Sequence, residues 1–159
     1  MNFFFSDPLS SAWGFSTWML KFGVLMLVHQ TTPILNVSEI EASISWFTKL
    51  GWKKGFTWGD PPTFGSVCSG KAEIFLCKDA QGARDGRMPR FAGDDDTGGT
   101  WMSWWLESPA DVDKAHVLAL KEGMTVTSPP TDEPWGVREF HLRHPDGHTF
   151  RVSAGIGKH

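Results

Sequence analysis

The sequence predicts an α+β fold built from two copies of one module, a strand followed by a helix and three further strands (βαβββ). Three observations lead to this prediction: two strand-then-helix openings, three short strand-like runs after each opening, and a Gly- and Asp-rich stretch between the copies. Each module would form a half-open mixed sheet with a helix on one face. We expect the two sheets to curl around a cavity, with the helices outside, in one domain.

An apolar extension, residues 1–29, precedes the repeat. Its only cation is Lys21 and it has no clear small-residue cleavage site, so it fits a signal peptide poorly. The run from Phe15 to Val28 is interrupted by Lys21 and Gly23 and is short for a membrane span. We therefore expect a helical segment that packs on its own domain or on a partner subunit, without stable membrane insertion.

The first module is predicted to span residues 30–80. The strand-like run TPILNV leads to Ser38, which with Glu41 three residues later forms the pattern of a capping box. Apolar residues then recur at helical spacing, and Gly51 marks the end of the helix. The runs FTWGD, FGSVCSG and KAEIFLCK are typical of three short strands.

The second module is predicted to span residues 100–155. The run WMSWWL leads to Ser108 as N-cap, Pro109 at the first helical position and Asp111 at N3, and Gly123 ends the helix. The runs MTVTSPP, VREFHLR and HTFRVSA predict three more strands. Residues 81–99, rich in Gly and Asp, are predicted to be a linker. The run DDD in this linker lacks the spaced ligands of a calcium loop and indicates a solvated charge run.

Composition narrows the class of partner. The net charge is −3 and no Lys/Arg block is present, so we expect no nucleic-acid binding. Cys68 and Cys77 have no zinc-ligand spacing and are expected to be free thiols in a reducing cytoplasm. Nine Trp, twelve Phe and no Tyr indicate that some indoles stack on a ligand.

The duplicated plan, the opening SEIEASISWFTKLGW and the hairpin WGVREFHLRHPDGH together resemble the vicinal-oxygen-chelate superfamily, over about residues 30 to 155. That superfamily includes glyoxalase I, extradiol dioxygenases, fosfomycin-resistance enzymes and bleomycin-resistance proteins. Its enzymes hold a divalent metal in the cavity. The resemblance places the four metal-ligand positions of this chain at Thr32, Glu73, Trp101 and Arg151.

These four residues predict no metal and no cofactor. One carboxylate does not hold a catalytic divalent ion against water. The Trp indole is a donor only, and Arg is a permanent cation that repels a metal. The chain is therefore most similar to the metal-free bleomycin-resistance branch. Opposite charges at two ligand positions suggest that Glu73 and Arg151 form an ion pair where the metal would lie.

Alternation along the strands and the position of Trp residues beside turns give a set of candidate ligand-binding residues. They are Trp58, Glu73, Trp101, Ser103, Trp105, Trp135, Arg138 and Arg151. Trp101 and Trp105 share a strand face, which is either core or an aromatic wall, whereas Trp104 has the opposite parity and is expected in the core.

Two short polar groups have both a functional and a purely structural interpretation. Glu139 and His141 could be a catalytic acid–base pair, although a solvent-exposed strand face is the favoured interpretation. The polar residues of the PDG turn, His144, Asp146 and His148, are explained by local turn chemistry.

The functional expectation is a homodimer that sequesters a planar aromatic or cationic small molecule, such as an antibiotic, without bond chemistry. Two other possibilities stay open: a metal-dependent lyase, isomerase or dioxygenase of the same superfamily, and a structural or regulatory dimer without a small ligand.

Overall fold

Each half of the repeat folds into a four-stranded mixed sheet with one helix. In the computed structural model, the described residues are 28–80, 82, 84 and 99–157, and those from Thr32 onwards belong to one structural unit. The expectations for the extension and for most of the linker lie outside the described residues. No helix in the described part of the chain is long and apolar enough to cross a membrane.

The two sheets have the same topology, which confirms the predicted duplicated α+β fold. The elements of the first are β1 (Ile34–Val37), α1 (Ile40–Lys49), β2 (Lys53–Trp58), β3 (Phe64–Ser69) and β4 (Ala72–Lys78). The elements of the second are β5 (Trp101–Trp105), α2 (Pro109–Lys121), β6 (Thr125–Glu133), β7 (Val137–Arg143) and β8 (Thr149–Gly155). The strand orders are β1-β4-β3-β2 and β5-β8-β7-β6. In each sheet the first strand pairs in parallel with the last, and the other pairings are antiparallel.

The two helices begin in different ways. In α2, the Ser108 hydroxyl accepts a hydrogen bond from the Asp111 backbone N–H, with Pro109 at the first helical position, as predicted. The capping box predicted for α1 is wrong. The N-cap is Glu39, no side chain caps the helix, and Ser38 lies outside it. The Ser38 backbone N–H donates instead to Asp146 Oδ2 at 3.0 Å, so a carboxylate of the second module binds the chain just before α1.

One hydrophobic core joins the two modules through the sides of the sheets that carry the helices. Trp46 of α1 lies against Phe150 of β8, with ring centroids 5.5 Å apart. Trp104 of β5 stacks on the same Phe150 at 4.3 Å and also contacts Trp52, at 5.1 Å. These aromatic contacts across the modules explain why Trp104, as predicted, faces the core.

The opposite face of each sheet carries large exposed apolar side chains, although the residues at the centre of the second of these faces are buried. We call these faces the first open face and the second open face. The first carries Ile34, Phe56 and Trp58, and the second carries Trp101 and Trp105, all of them exposed. Because the helix-bearing sides join the modules, the two opposite faces, which were expected to enclose a cavity, do not cover each other in the described part of the chain.

The PDG turn between β7 and β8 is buried and connects the modules. Gly147 adopts a φ of +86°, which favours glycine in this turn. His144, Asp146 and His148 are all buried, and they contact residues of the first module. Local turn chemistry alone was therefore the wrong explanation for these three side chains.

Candidate functional site

The first strand of the second sheet presents a row of exposed side chains. Trp101, Ser103 and Trp105 are exposed, while Met102 and Trp104 between them are half-buried. The period of two follows from the pleat of a strand. Trp105 is 67% exposed and Trp101 is 43% exposed, so both indoles offer ring surface to a ligand. The core alternative for these two residues therefore does not hold within the single chain.

The centre of the second open face is a charged cluster on β7 and β8. Arg151 lies between Ser103 of β5 and His141 of β7 in the sheet register. Its guanidinium binds the Glu139 carboxylate in a fork, with Nη2 2.7 Å from both oxygens and Nε 3.2 Å from Oε1. Ser153 Oγ donates to Glu139 Oε2 at 3.2 Å. A bidentate pair of this kind fixes both side chains in orientation.

The environment of Glu139 keeps it ionised. Burial alone would raise the pKa of this carboxyl, because the charged form loses hydration. The hydrogen bonds and positive charge of Arg151, with smaller contributions from His141 and Ser153, outweigh burial and lower the pKa below its ordinary value. A carboxylate held in this way is a poor proton acceptor, which argues against Glu139 as a general base.

His141 lies beside this pair. Its Nε2 is 3.5 Å from Glu139 Oε1, and its ring meets the edge of Trp101, with centroids 5.6 Å apart. Its Nδ1 is buried and has no hydrogen-bond partner among the described residues. Both Glu139 and His141 are buried, so the favoured interpretation of a solvent-exposed strand face was wrong. Burial under an aromatic ring and within an ion-pair cluster explains the difference.

The remaining candidates lie elsewhere. Trp58 is 70% exposed on the first open face, and Glu73 on the same face accepts a weak hydrogen bond from Cys68 Sγ at 3.8 Å. Trp135 is exposed in the turn between β6 and β7. Arg138 pairs with Asp113 of α2, which places its guanidinium on the helix-bearing side, away from the second open face.

The hypothesised ion pair between Glu73 and Arg151 is not formed in the chain. Arg151 pairs instead with Glu139, one strand away in the same sheet. The pairing of Arg151 with Glu139 could have been predicted from the register of the β7–β8 hairpin. Matching β7 to β8 around the PDG turn sets Arg151 opposite His141 and diagonal to Glu139, within reach of a long side chain.

Two further groups were not among the candidate ligand-binding residues, although strand parity in the sequence places Ser153 and Phe75 on the inward-facing sides of their strands. Ser153 completes the shell of donors around Glu139. On the first open face, Phe56, Phe64 and Phe75 form a cluster with ring centroids 5.3 to 5.9 Å apart. In the sheet register Phe64 is opposite Cys77 and Phe75 is opposite Ser66, so regular alternation puts both rings on this face. Phe56 lies in an irregular stretch of β2. Because the irregularity interrupts the alternation of side chains, the sequence alone does not predict which face of the sheet carries Phe56.

The residues at the four presumed metal positions do not fit a divalent ion. Thr32 precedes β1, Trp101 offers only an indole N–H, and the guanidinium of Arg151 is held at this place by Glu139. The described residues contain no group of three or more His, Cys, Asp or Glu side chains arranged to hold a metal. The fixed cation of Arg151, paired with the Glu139 carboxylate, opposes metal binding electrostatically.

Comparison with known proteins supports the duplicated fold. The model of one protein family, the glyoxalase/bleomycin resistance protein/dioxygenase superfamily, matches residues 27–152 of the chain. No curated protein sequence matches the chain significantly.

Three solved structures illustrate the similarity. A glyoxalase/bleomycin resistance protein/dioxygenase from Nocardioides gives a TM-score of 0.64 at 21% identity, over 86% of this chain and 89% of that chain. A superfamily member from Sphaerobacter thermophilus gives 0.60 at 22% identity, over 82% and 99%. A bleomycin-binding protein complexed with bleomycin gives 0.61 at 16% identity, over 80% and 99%. At these identities the similarity concerns the fold alone.

Proposed function

Because the chain belongs to the glyoxalase/bleomycin resistance protein/dioxygenase superfamily, we propose that it is a metal-independent small-molecule-binding protein. One observation carries this proposal. The second open face presents the exposed indoles of Trp101 and Trp105 on either side of an Arg151–Glu139 ion pair, at a place where an enzyme would need metal ligands. Exposed Trp residues beside an oriented polar group are typical of sites that stack a planar ligand.

Capture of the ligand would be stoichiometric, without bond chemistry. The chain shares its fold with a bleomycin-binding protein that was solved with bleomycin bound. Antibiotic sequestration is therefore part of the proposal. The free thiols of Cys68 and Cys77 are compatible with a reducing cytoplasm, where such a protein would intercept an antibiotic.

The working form in this proposal is a homodimer. Large apolar side chains on both open faces, such as Ile34 and Trp58 on the first and Trp105 on the second, are exposed in the single chain. Contiguous exposed apolar surface of this kind marks an interaction site. A second copy facing these surfaces would convert an open face into a cleft that encloses a ligand.

The rival enzymatic function has less support. The ligand positions do not suit a metal, and Glu139 is committed to Arg151 and Ser153 rather than poised to accept a proton. Elemental analysis of the purified protein addresses this directly. Stoichiometric zinc, nickel, manganese or iron in active protein would contradict the metal-independent proposal.

Binding is tested by isothermal titration calorimetry with bleomycin-type glycopeptides and with smaller planar aromatics. We expect saturable binding that weakens at least about tenfold when Trp101 and Trp105 are both replaced by Ala, since each stacked ring contributes about 0.5–1.5 kcal/mol beyond buried area. Leu120→Ala is the matched control, because Leu120 is an exposed apolar residue on α2, outside both open faces.

Two results would count against the proposal. One is the absence of binding across the panel, which would favour a structural or regulatory dimer. The other is equal binding by the double Trp variant and by the Leu120→Ala control, which would place the ligand elsewhere. Sedimentation equilibrium with and without ligand measures the proposed dimer, and a monomer in both conditions would refute it.

A further inference from the structure

We infer that the ligand of the second open face is an aromatic compound carrying a carboxylate or an equivalent anionic oxygen group, and that Arg151 binds that group. This inference rests on the proposed binding function and specifies its ligand class. It departs from the expectation, drawn from the sequence, that acidic side chains of the cavity select a cation.

The acidic group at the centre of the face is not available to a ligand. Glu139 is only 4% exposed, and its two oxygens already accept hydrogen bonds from Arg151 and Ser153. A cationic ligand would have to displace the guanidinium to reach this carboxylate. Such a displacement would replace the Arg151–Glu139 pair by a pair of the ligand with Glu139 and would leave Arg151 without its partner. A cationic ligand would therefore gain little binding free energy here.

The guanidinium, in contrast, is the part of the pair that reaches solvent. The side chain of Arg151 is 32% exposed. It binds Glu139 through Nε and Nη2, so that Nη1 has no hydrogen-bond partner among the described residues. Two N–H donors on a fixed cation suit the oxygen of a carboxylate, and the pairing with Glu139 holds the fork in one orientation before a ligand arrives.

The position of Arg151 relative to the two indoles sets the shape of the ligand. In the sheet register Arg151 is beside Ser103, which lies two residues from Trp101 and two from Trp105 along β5. Two residues of a strand span about 7 Å. A bicyclic ring stacked on either indole would therefore place a directly attached carboxylate near the guanidinium. The exposed Ser103 hydroxyl lies beside the same spot and offers a further donor.

The first open face does not offer a carboxylate that would attract a cationic ligand in place of the anionic ligand of the second open face. Glu73, at one of the presumed metal-ligand positions, lies on this face. In the sheet register it is opposite Cys68, which is in turn opposite the exposed Lys53. A lysine in the same row opposes accumulation of cations there. The same face also carries the aromatic cluster of Phe56, Phe64 and Phe75. They would contribute ring contacts rather than charge selection.

The test uses three probes with the same ring system and different charge: naphthoate, naphthylmethanol and naphthylmethylammonium. Their affinities for the full chain are measured by isothermal titration calorimetry at neutral pH. We expect naphthoate to bind about tenfold or more tightly than either of the other probes, the size of effect that one charge-assisted hydrogen bond gives.

Variants assign the preference to Arg151. Arg151→Gln leaves Glu139 buried without its cation and is expected to lose stability, so the double variant Arg151→Gln/Glu139→Gln is included, which replaces the ion pair by two amides. We expect the double variant to lose the preference for naphthoate and to bind all three probes with similar affinity. Glu139→Gln alone is expected to strengthen the preference for naphthoate, because it removes the charge that partly neutralises Arg151.

The outcomes separate the inference from the function on which it rests. Binding of naphthylmethanol with no preference for naphthoate, or with a preference for naphthylmethylammonium, would overturn the anionic ligand class and leave the binding function intact. A naphthoate preference that persists in the double variant would overturn the role of Arg151. If none of the probes binds, the ligand class fails, and titration with the bleomycin-type glycopeptides then decides whether the proposed small-molecule function also fails.

Discussion

The side chain of His148 and the backbone of Asn36 join the two modules, with His148 Nε2 2.7 Å from the Asn36 carbonyl oxygen. The Thr100 backbone N–H donates to His148 Nδ1 at 3.0 Å, so Nε2 carries the proton and donates to Asn36. Both ring nitrogens are therefore satisfied in a neutral imidazole that is fully buried. Burial, opposed by the hydrogen bond to Asn36, lowers the pKa of His148.

Replacing His148 by Ala is expected to lower the free energy of unfolding by about 2–5 kcal/mol, because two buried hydrogen bonds are lost and their backbone partners stay buried. Denaturant titration at neutral pH measures the loss. His29→Ala is the control, since His29 is exposed, and it is expected to change stability by less than about 0.5 kcal/mol. Equal stability of the two variants would mean that His148 does not hold the modules together.

Acid is expected to destabilise the protein through His144 and His148. Burial lowers the pKa of His144 to about 4 from an ordinary 6.5, and the pKa of His148 shifts in the same direction. The unfolded chain therefore binds more protons than the folded chain below pH 6.5. The stability contribution of the neutral imidazole is present above pH 6.5 and is lost as the pH falls toward 4, by about 3 kcal/mol for His144.

This prediction is checked by measuring the free energy of unfolding at several pH values between 6.5 and 4. His144→Asn is the informative variant, because its amide oxygen can replace Nδ1 as the acceptor for the Asp146 N–H but does not titrate. We expect this variant to show a shallower loss of stability with acid than the unmodified protein. Parallel pH profiles for the two proteins would exclude His144 as the source of acid sensitivity.

The two serines before the helices are expected to differ in their contribution to stability. Ser108 caps α2 through its hydroxyl, so Ser108→Ala should cost about 1 kcal/mol. Ser38 is exposed and its hydroxyl caps nothing, because the helix begins later and the Ser38 backbone N–H binds Asp146. Ser38→Ala should therefore change the unfolding free energy by less than about 0.5 kcal/mol. A cost for Ser38→Ala as large as that for Ser108→Ala would restore the capping box for α1.

The sequence predicts local features of this fold well because they depend on neighbouring residues. The Ser108 cap and the strand alternation around Trp104 and Trp105 follow from local backbone geometry. The role of Asp146 depends on Ser38, which is 108 residues away along the chain. No local pattern encodes such a contact, so the same PDG turn that predicts a hairpin does not reveal that its carboxylate binds the other module.

The candidate site shows the same limit. Parity places Trp101, Ser103 and Trp105 on one face, and the structure agrees. The partner of Arg151 was not predicted, because two carboxylates of suitable parity compete and the choice depends on how the two sheets are arranged. Since the modules join through their helix-bearing sides, Glu139 of the same sheet binds the guanidinium and Glu73 does not.

The neighbouring indoles of Trp104 and Trp105 on β5 offer a test that distinguishes a residue of the hydrophobic core from a residue of the candidate ligand site. Trp104 stacks on Phe150 and contacts Trp52 in the core that joins the modules, whereas Trp105 is exposed on the second open face. We expect Trp104→Ala to lower the unfolding free energy by about 3–5 kcal/mol, as large-to-small changes at packed aromatic sites do. At protein concentrations low enough to dissociate the proposed dimer, Trp105→Ala is expected to leave stability within about 0.5 kcal/mol, and it is expected to weaken ligand binding.

Each variant serves as the control for the other, because the two positions are neighbours on one strand and lose the same side chain. Denaturant titration gives the stability of both, and calorimetric titration with naphthoate gives the affinity of the folded fraction. A large stability loss in Trp105→Ala would mean that a second copy covers the open face at the protein concentration used. In that case the loss should depend on protein concentration, because dissociation of a dimer is coupled to unfolding.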